Sequence, residues 1–530
     1  MFKIKTDKIF TGRNLAFLSV LVLFLTLRFF CGNPYFNLHG DQCKYLVLGR
    51  NFPWHFLWND SLYLLHQPFF GFSIGIASYV MPLFQSGLAV TIFWAILAFF
   101  TLCRYCQLQG LNISGQILSL SYVSLSLISV MMDTTISRTS VLLFFTVLSL
   151  LTFESFLREG GRKKFLLALL SSIICMLISD QALALLPALV IVYVMEPGKA
   201  KLRNLVILLS ASFLAYITWP LVRLCIYMSY QSYAAGMDGI IENMNGFPVV
   251  GIIQPNFLPR VLSHHMGIGT NMDFTMANMN CAVPFLLFVV PPTLSKIIVG
   301  SLILLAAATG IIRRDKGVLK LGLLSVLFYL PVLINMPVWY GICYLIPFSA
   351  MLGKGIVLLD FRPEWERRLA MMLSIICLLL ALLWLHNPPP WKPTDHLSFL
   401  FSRQPVTRGQ QSLQWLHDIQ GDIGIMGPVG STPEIAYLTG KRVVAIPFNP
   451  DELDTLISQY RIQVIVLTDR ELIPSKDEPA GWSLSRIVAQ HILRNPQKYQ
   501  LISVCREKYQ DFYPEGTFLF FRTTYKPEGQ

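Results

Sequence analysis

An acid with the surroundings of Asp41 can accept a proton or hold a cation. It stands in Leu38-His-Gly-Asp41-Gln-Cys-Lys-Tyr45, a few residues beyond the first long apolar run, and His66-Gln-Pro68 follows soon after. A carboxylate held at the edge of a hydrocarbon layer loses hydration, so chemistry or a cation explains it better than packing does. The plain alternative is a solvated acid, as most loop acids are. His264-His265 is the one adjacent histidine pair, and two neighbouring imidazoles need further ligands before they hold a metal, so a divalent ion stays an open option. Cys103-Arg-Tyr-Cys106 is the one C-x-x-C pair and has no partner ligands elsewhere; the ten cysteines read as small core hydrophobes.

The elements that must position Asp41 lie in a membrane. The chain is 54% hydrophobic and 14% charged, with a mean hydropathy of +0.54, whereas soluble domains carry about 25% charged residues. Leu15 to Phe30 follows a basic start and has the outline of a signal peptide, but no small-residue cleavage site follows, so it reads as an uncleaved first span. Basic clusters recur at Lys3 to Arg13, Arg158 to Lys164, Lys199 to Arg203, Arg313 to Lys320 and Arg362 to Arg368, all expected on the cytoplasmic side. Further spans are expected at 88–102, 117–131, 141–157, 205–221, 296–312, 321–334, 341–359 and 369–385. The block 165–195 reads as a short hairpin or re-entrant pair broken near Asp180. The whole is a polytopic α-helical membrane protein of about eleven spans, N-terminus in the cytoplasm and C-terminus outside.

Three long segments fall on the outer face, about 32–87, 226–295 and everything beyond Asn387. In the first, Lys44 to Trp54 and Pro68 to Tyr79 have the composition of helices lying along a membrane surface, which would hold Asp41 against lipid. Beyond Asn387-Pro-Pro-Pro390 the chain becomes soluble in character. Strands are expected at Ile423 to Met426, Val443 to Ile446 and Val464 to Leu467, helices at Asp451 to Tyr460 and Leu484 to Leu493, and an edge hairpin from Leu501 to Cys505 and Thr517 to Phe521. That is a small C-terminal α/β domain. The expected division is a transmembrane domain over 1–392 and an outer domain over 393–530. Gly427-Pro-Val-Gly430-Ser-Thr lacks the Lys and the spacing of a nucleotide loop and reads as a tight strand-to-helix turn.

Asp41-Gln42-x-x-Tyr45, His66-Gln67-Pro68 and the late Tyr344-Leu-Ile-Pro347, in this order and on this side, resemble the membrane glycosyltransferases of the C-type fold. In outline the chain is similar to the protein O-mannosyltransferases and the bacterial lipid A aminoarabinose transferases. The resemblance implies transfer of a sugar from a polyprenyl-phosphate donor to a lipid, glycan or protein acceptor at the outer face of a bacterial inner membrane, with inversion. Asp41 would be the general base, Asp133 a second acid, and Tyr45, His66 and Tyr344 substrate contacts. Arg138, Arg223, Arg260 and Lys296 would be partners for the departing phosphate, since a guanidinium offers a fork of donors to phosphate oxygens; singly, each also reads as an interfacial cation. The chain departs from the pattern at Gln42, where a Glu is usual, which removes a charge from any metal-binding pair, and at Cys343, where an Arg often precedes the Tyr. Asp180 stands where relatives often have Lys, and a helix-breaking polar residue is the simpler reading. The outer domain is expected to assist acceptor binding or stability and not to hold the base. Two other classes compete: a lipid-linked glycan ligase or polymerase, and a transporter, which would place its charges within the spans. Membrane lipids are expected partners and nucleic acid is not.

Overall fold

The computed structural model describes residues 12–30, 40–51, 69–196, 201–229, 283–288, 290–333, 338–386, 424–427, 432–447, 450–468, 480–507 and 516–523, with Leu413 and Leu416. Helices run in chain order as α1 (Gly12–Phe29), α2 (Gly40–Arg50), α3 (Phe69–Ala77), α4 (Leu83–Leu108), α5 (Ile113–Leu125), α6 (Leu127–Asp133), α7 (Thr139–Glu159), α8 (Arg162–Ile178), α9 (Leu185–Met195), α10 (Leu202–Ser229), α11 (Pro292–Arg313), α12 (Lys316–Leu333), α13 (Leu345–Val357), α14 (Pro363–His386), α15 (Thr432–Thr439), α16 (Leu453–Gln459) and α17 (Ala480–Arg494). The strands are β1 (Gly424–Gly427), β2 (Arg442–Ala445), β3 (Ile462–Thr468), β4 (Tyr499–Glu507) and β5 (Gly516–Thr523). Two compact units divide them. One takes Met1–Pro34, Leu88–Tyr216 and Asp273–Arg403; the other takes Tyr35–Gly87, Ile217–Met272 and Gln404–Gln530. The boundary expected at 392/393 lies outside the described residues.

The first unit is a helical membrane body. Among the described residues α4, α7, α11 and α14 are long and apolar enough to cross a bilayer, and shorter apolar helices accompany them. Leu294, Ile297, Leu304 and Ile311 on α11 and Met371, Leu379, Leu382 and Leu383 on α14 are exposed. Apolar faces of that extent on helices of this length suit hydrocarbon and not water. The chain is an integral membrane protein.

Two breaks in the helices have local causes. The segment 117–131, expected as one span, is two helices meeting at Ser126, whose backbone is extended (φ −60°, ψ 123°). Peptide groups freed by this break are taken up by the segment 286–288: Leu127 N donates to Leu286 O at 3.2 Å and Phe288 N to Leu125 O at 2.5 Å, forming a short antiparallel bridge. The block 165–195 is broken where expected, by a tight turn over Asp180–Ala184 whose start is capped by Ser179 accepting from Gln181 N. Gly160 and Gly161 join α7 to α8 with φ of 74° and 99°. Consecutive positive φ values suit glycine alone, and they fold α8 straight back along α7.

In the second unit the sheet order is β2-β1-β3-β5-β4. β1 lies parallel to β2 and β3, while β5 runs antiparallel to β3 and to the edge strand β4, the expected terminal hairpin. Residues alternate between two buried faces. Ile425, Val443, Val464, Val466, Phe518 and Phe520 share one core with Ile435 and Ala436 of α15, while Met426, Val444, Ile465, Leu467 and Phe521 share the other with Leu456 of α16 and Val488 and Ile492 of α17. The first core also contains Val47 and Leu48 of α2. The helices expected near 44–54 and 68–79 do form, but α2 spends its apolar face on protein where lipid was expected.

Small residues set the closest helix contacts, as packing in lipid requires. A Cβ on Gly353 of α13 would collide with Ser119 Oγ, Gly115 O and Leu111 of the neighbouring α5 segment, where Ser119 Oγ also donates to Ser349 O at 2.8 Å. Gly353→Val should therefore force α13 off α5 and lower the thermal unfolding midpoint in nanodiscs by several degrees, a loss of about 1–3 kcal/mol. An unchanged midpoint would contradict this packing.

Candidate functional site

Asp41 occupies the first turn of α2. Its side chain lies outside the described residues, and what positions its backbone is well defined. Tyr45, one turn on and so on the same helix face, is buried and meets Phe70 of α3 edge-on with ring centroids 5.0 Å apart. The two helices interlock through glycines: a Cβ on Gly71 would stand 2.6 Å from Leu48 Cβ, and one on Gly49 would stand 2.8 Å from Ile74 Cγ2. On its other side α2 meets α15. Cys43 is fully buried, and its thiol is pushed well above the usual range by burial first and by the charge of Glu434 second. At the far end Arg50 Nη1 donates to Ala436 O at 3.0 Å.

Asp133 ends α6 and is buried against Arg28 of α1. Its Oδ2 accepts from Arg28 Nη2 at 2.9 Å, Arg28 Nε at 3.1 Å and Ser129 Oγ at 3.1 Å, and its Oδ1 from Ser140 Oγ at 2.8 Å. Arg28 in turn donates to Ser124 O at 2.7 Å and lies over the Phe24 ring at 4.0 Å. Ser124 O is among the last-turn carbonyls that the break at Ser126 leaves without a helical partner, so Arg28 caps α5 as well as pairing with Asp133. An acid so fully engaged is a structural counter-ion in this state.

Tyr344 is buried, 3.4 Å by its hydroxyl from that of Tyr122, which itself donates to Pro284 O at 2.7 Å. Tyr329 and Phe348 pack edge-on against it. Arg138 is buried at the start of α7, and Lys296 is exposed on α11. His66, Arg260, His264 and His265 lie outside the described residues, as do the side chains of Asp180 and of Arg223, which α10 carries. Among the described residues no group of three or more His, Cys, Asp or Glu is arranged to hold a metal ion.

A second charged centre was missed from the sequence. Glu154 of α7 is fully buried and accepts from Lys320 Nζ at 3.1 Å, Gln109 Nε2 at 2.6 Å and Tyr105 Oη at 3.3 Å. Lys320 also donates to Glu196 at 2.7 Å, and Glu196 accepts from Arg158 at 2.8 Å. These residues tie together α4, α7, α12 and the end of α9, at the side where the basic loops cluster. The available signal was Glu154 itself, an acid inside the apolar stretch 141–157.

No protein-family model and no curated protein matches the sequence. Among solved structures, ArnT from Cupriavidus metallidurans in the apo state aligns at a TM-score of 0.50 with 12% identity, over 96% of this chain and 97% of that one. The same protein bound to undecaprenyl phosphate aligns at 0.39 with 11% identity over the same shares of the two chains, 96% and 97%. The oligosaccharyltransferase of Archaeoglobus fulgidus in the apo form aligns at 0.48 with 11% identity, over 87% of this chain and 70% of that one. The apo ArnT alignment shows a shared fold end to end, the C-type glycosyltransferase fold with its C-terminal sheet domain.

Lys320→Met leaves Glu154 buried with its main counter-charge removed, which should cost about 3–5 kcal/mol. Adding Glu154→Gln should recover part of that loss, measured as unfolding midpoints in nanodiscs. A single variant as stable as wild type would mean the pair carries no structural weight.

Proposed function

We propose that this chain is a glycosyltransferase that moves a sugar from a polyprenyl-phosphate donor to an acceptor hydroxyl or amine, with Asp41 as general base. The observation that carries this reading is the end-to-end match of architecture with ArnT. That the Cupriavidus protein was solved with undecaprenyl phosphate bound is consistent with a lipid-phosphate donor here.

The chemistry needs few groups. A sugar on a lipid phosphate already has a good leaving group, so the requirements are a base for the acceptor and cations for the departing charge. Asp41 takes the acceptor's proton; the freed oxygen or nitrogen attacks the anomeric carbon on the face opposite the phosphate. The bond from that carbon to the phosphate oxygen breaks, its electron pair leaves with the lipid phosphate, and the configuration inverts. Arg138, Arg223, Arg260 and Lys296 are the candidate phosphate partners; Tyr45, His66 and Tyr344 are candidate substrate contacts. No step is assigned to a metal, and His264-His265 is the pair to examine if one is found. The basic-loop pattern supports the N-terminus in the cytoplasm and the sheet domain on the outer side, which in a bacterial inner membrane is the periplasm.

Asp41→Asn keeps the size of the side chain but cannot take the proton, so turnover should fall about 10²-fold or more while donor binding survives. The assay is transfer of labelled sugar from polyprenyl phosphate at equal protein level; near-normal turnover would end the assignment of the base. Asp133→Asn should act on stability, with the folded fraction still turning over, because its partners are structural. Orientation is tested by alkaline phosphatase fused after Gln530, which should be active. An inactive fusion on a folded protein would put Asp41 on the wrong side.

A further inference from the structure

We propose that the C-terminal sheet domain is the frame that sets the position of Asp41, because the helix carrying Asp41 is a structural element of that domain. The proposal rests on the reading of Asp41 as the base and adds to it the residues that hold the base in place. α2 is 11 residues long, below the roughly 12–15 at which an isolated helix holds itself together in water. Its order therefore comes from what it packs on. Val47 and Leu48 are 0% and 1% exposed and sit in one core with Ile425, Val464, Phe518 and Phe520. This makes α2 a cover for that face of the sheet beside α15, a place that a helix of the same domain would ordinarily fill.

The contacts fix register as well as attachment. Arg50 Nη1 meets Ala436 O in the last turn of α15, where a cation also suits the helix dipole. Seven residues earlier, Cys43 is fully buried and within reach of the charge of Glu434 in the first turn of the same helix. α2 is thus held against α15 near its start and at its end. Asp41 is two residues before Cys43, about 3 Å along the helix axis at a rise of 1.5 Å per residue. From the opposite side α3 closes on α2 at Gly71 and Gly49, so that the helix has no room to slide. Val47, Leu48 and Arg50 are positioning residues. The sheet domain is on this view obligatory for the chemistry, where the sequence suggested an assisting role.

The test uses the full chain in nanodiscs. Cys43 is a native reporter, buried in the α2–α15 contact, and its alkylation by N-ethylmaleimide is read by site-resolved mass spectrometry. In wild type it should resist. Phe520→Ala, which opens the sheet core from the far end of the sequence, should speed Cys43 alkylation by about tenfold or more as α2 loses its seat. Arg50 is exposed, so Arg50→Ala opens no cavity; at equal folded protein it should lower kcat about tenfold with donor KM unchanged, since small misplacements of a reacting group are costly. Arg50→Lys, which keeps a donor and the charge, should restore most of kcat. Two results overturn the proposal: Cys43 that stays protected while strand amides of Phe520→Ala exchange freely, or Arg50→Ala with wild-type kcat. If Asp41→Asn turned over normally, the assignment of the base would fall by itself. Cys43 alkylation would still report independently whether α2 folds with the sheet.

Discussion

Hydrocarbon gives no hydrogen bonds, and the membrane unit is organised around that refusal. Most polar groups its helices carry inward are paired within the same chain. Hydroxyls turn back on their own helices, as Ser124 does on Leu120 O, Ser149 on Phe145 O and Ser325 on Leu321 O. The break at Ser126 would expose peptide groups, and it is mended from two directions: the strand-like return at 286–288 bonds its flanking peptides, and Arg28 takes its orphaned carbonyl at Ser124. Arg28 then needs a counter-charge, which Asp133 supplies. The break, the arginine and the acid form one causal chain. The same rule accounts for Glu154, whose carboxylate collects an ammonium from α12 and an amide and a phenol from the end of α4.

The second unit answers to a different constraint. A five-stranded sheet with both faces apolar must be covered on both, and its own downstream helices α16 and α17 cover one face. On the other, α15 shares the work with α2, drawn from near the start of the chain. The candidate base consequently belongs to the unit that holds the sheet, although in sequence it follows the first span.

Most of the architecture was legible in the residues. Basic loops and apolar runs gave the helices of the membrane unit, and alternating strands of Val, Ile and Phe gave the sheet with its terminal hairpin, because both patterns are local consequences of burial. The extended backbone at Ser126 was not legible, since nothing in Ser-Leu-Ser126-Leu differs from a continuous span; its cause is a partner segment 160 residues away. The attachment of α2 was hidden for a similar reason. Val47 and Leu48 look the same whether they face lipid or a sheet, and composition cannot name the partner. At the candidate site, the residues point to a helix from Lys44 with Asp41 in the loop before it, whereas the structure has Asp41 in the first turn of α2; they also give no hint that Asp133 would be engaged by Arg28.

The reach of α2 also has a kinetic side. Arg50 and Ala436 are 386 residues apart, and the strands that complete the core end at Thr523. Contacts so distant in sequence cannot form until the ribosome has nearly finished, whereas the first spans can insert as they emerge. For most of synthesis the helix with the candidate base has Val47 and Leu48 without their sheet, and the bilayer surface is their nearest apolar refuge. A chain that stops before β5 would then be more than a protein lacking a domain: it would hold an inserted body with the helix of Asp41 left without its seat.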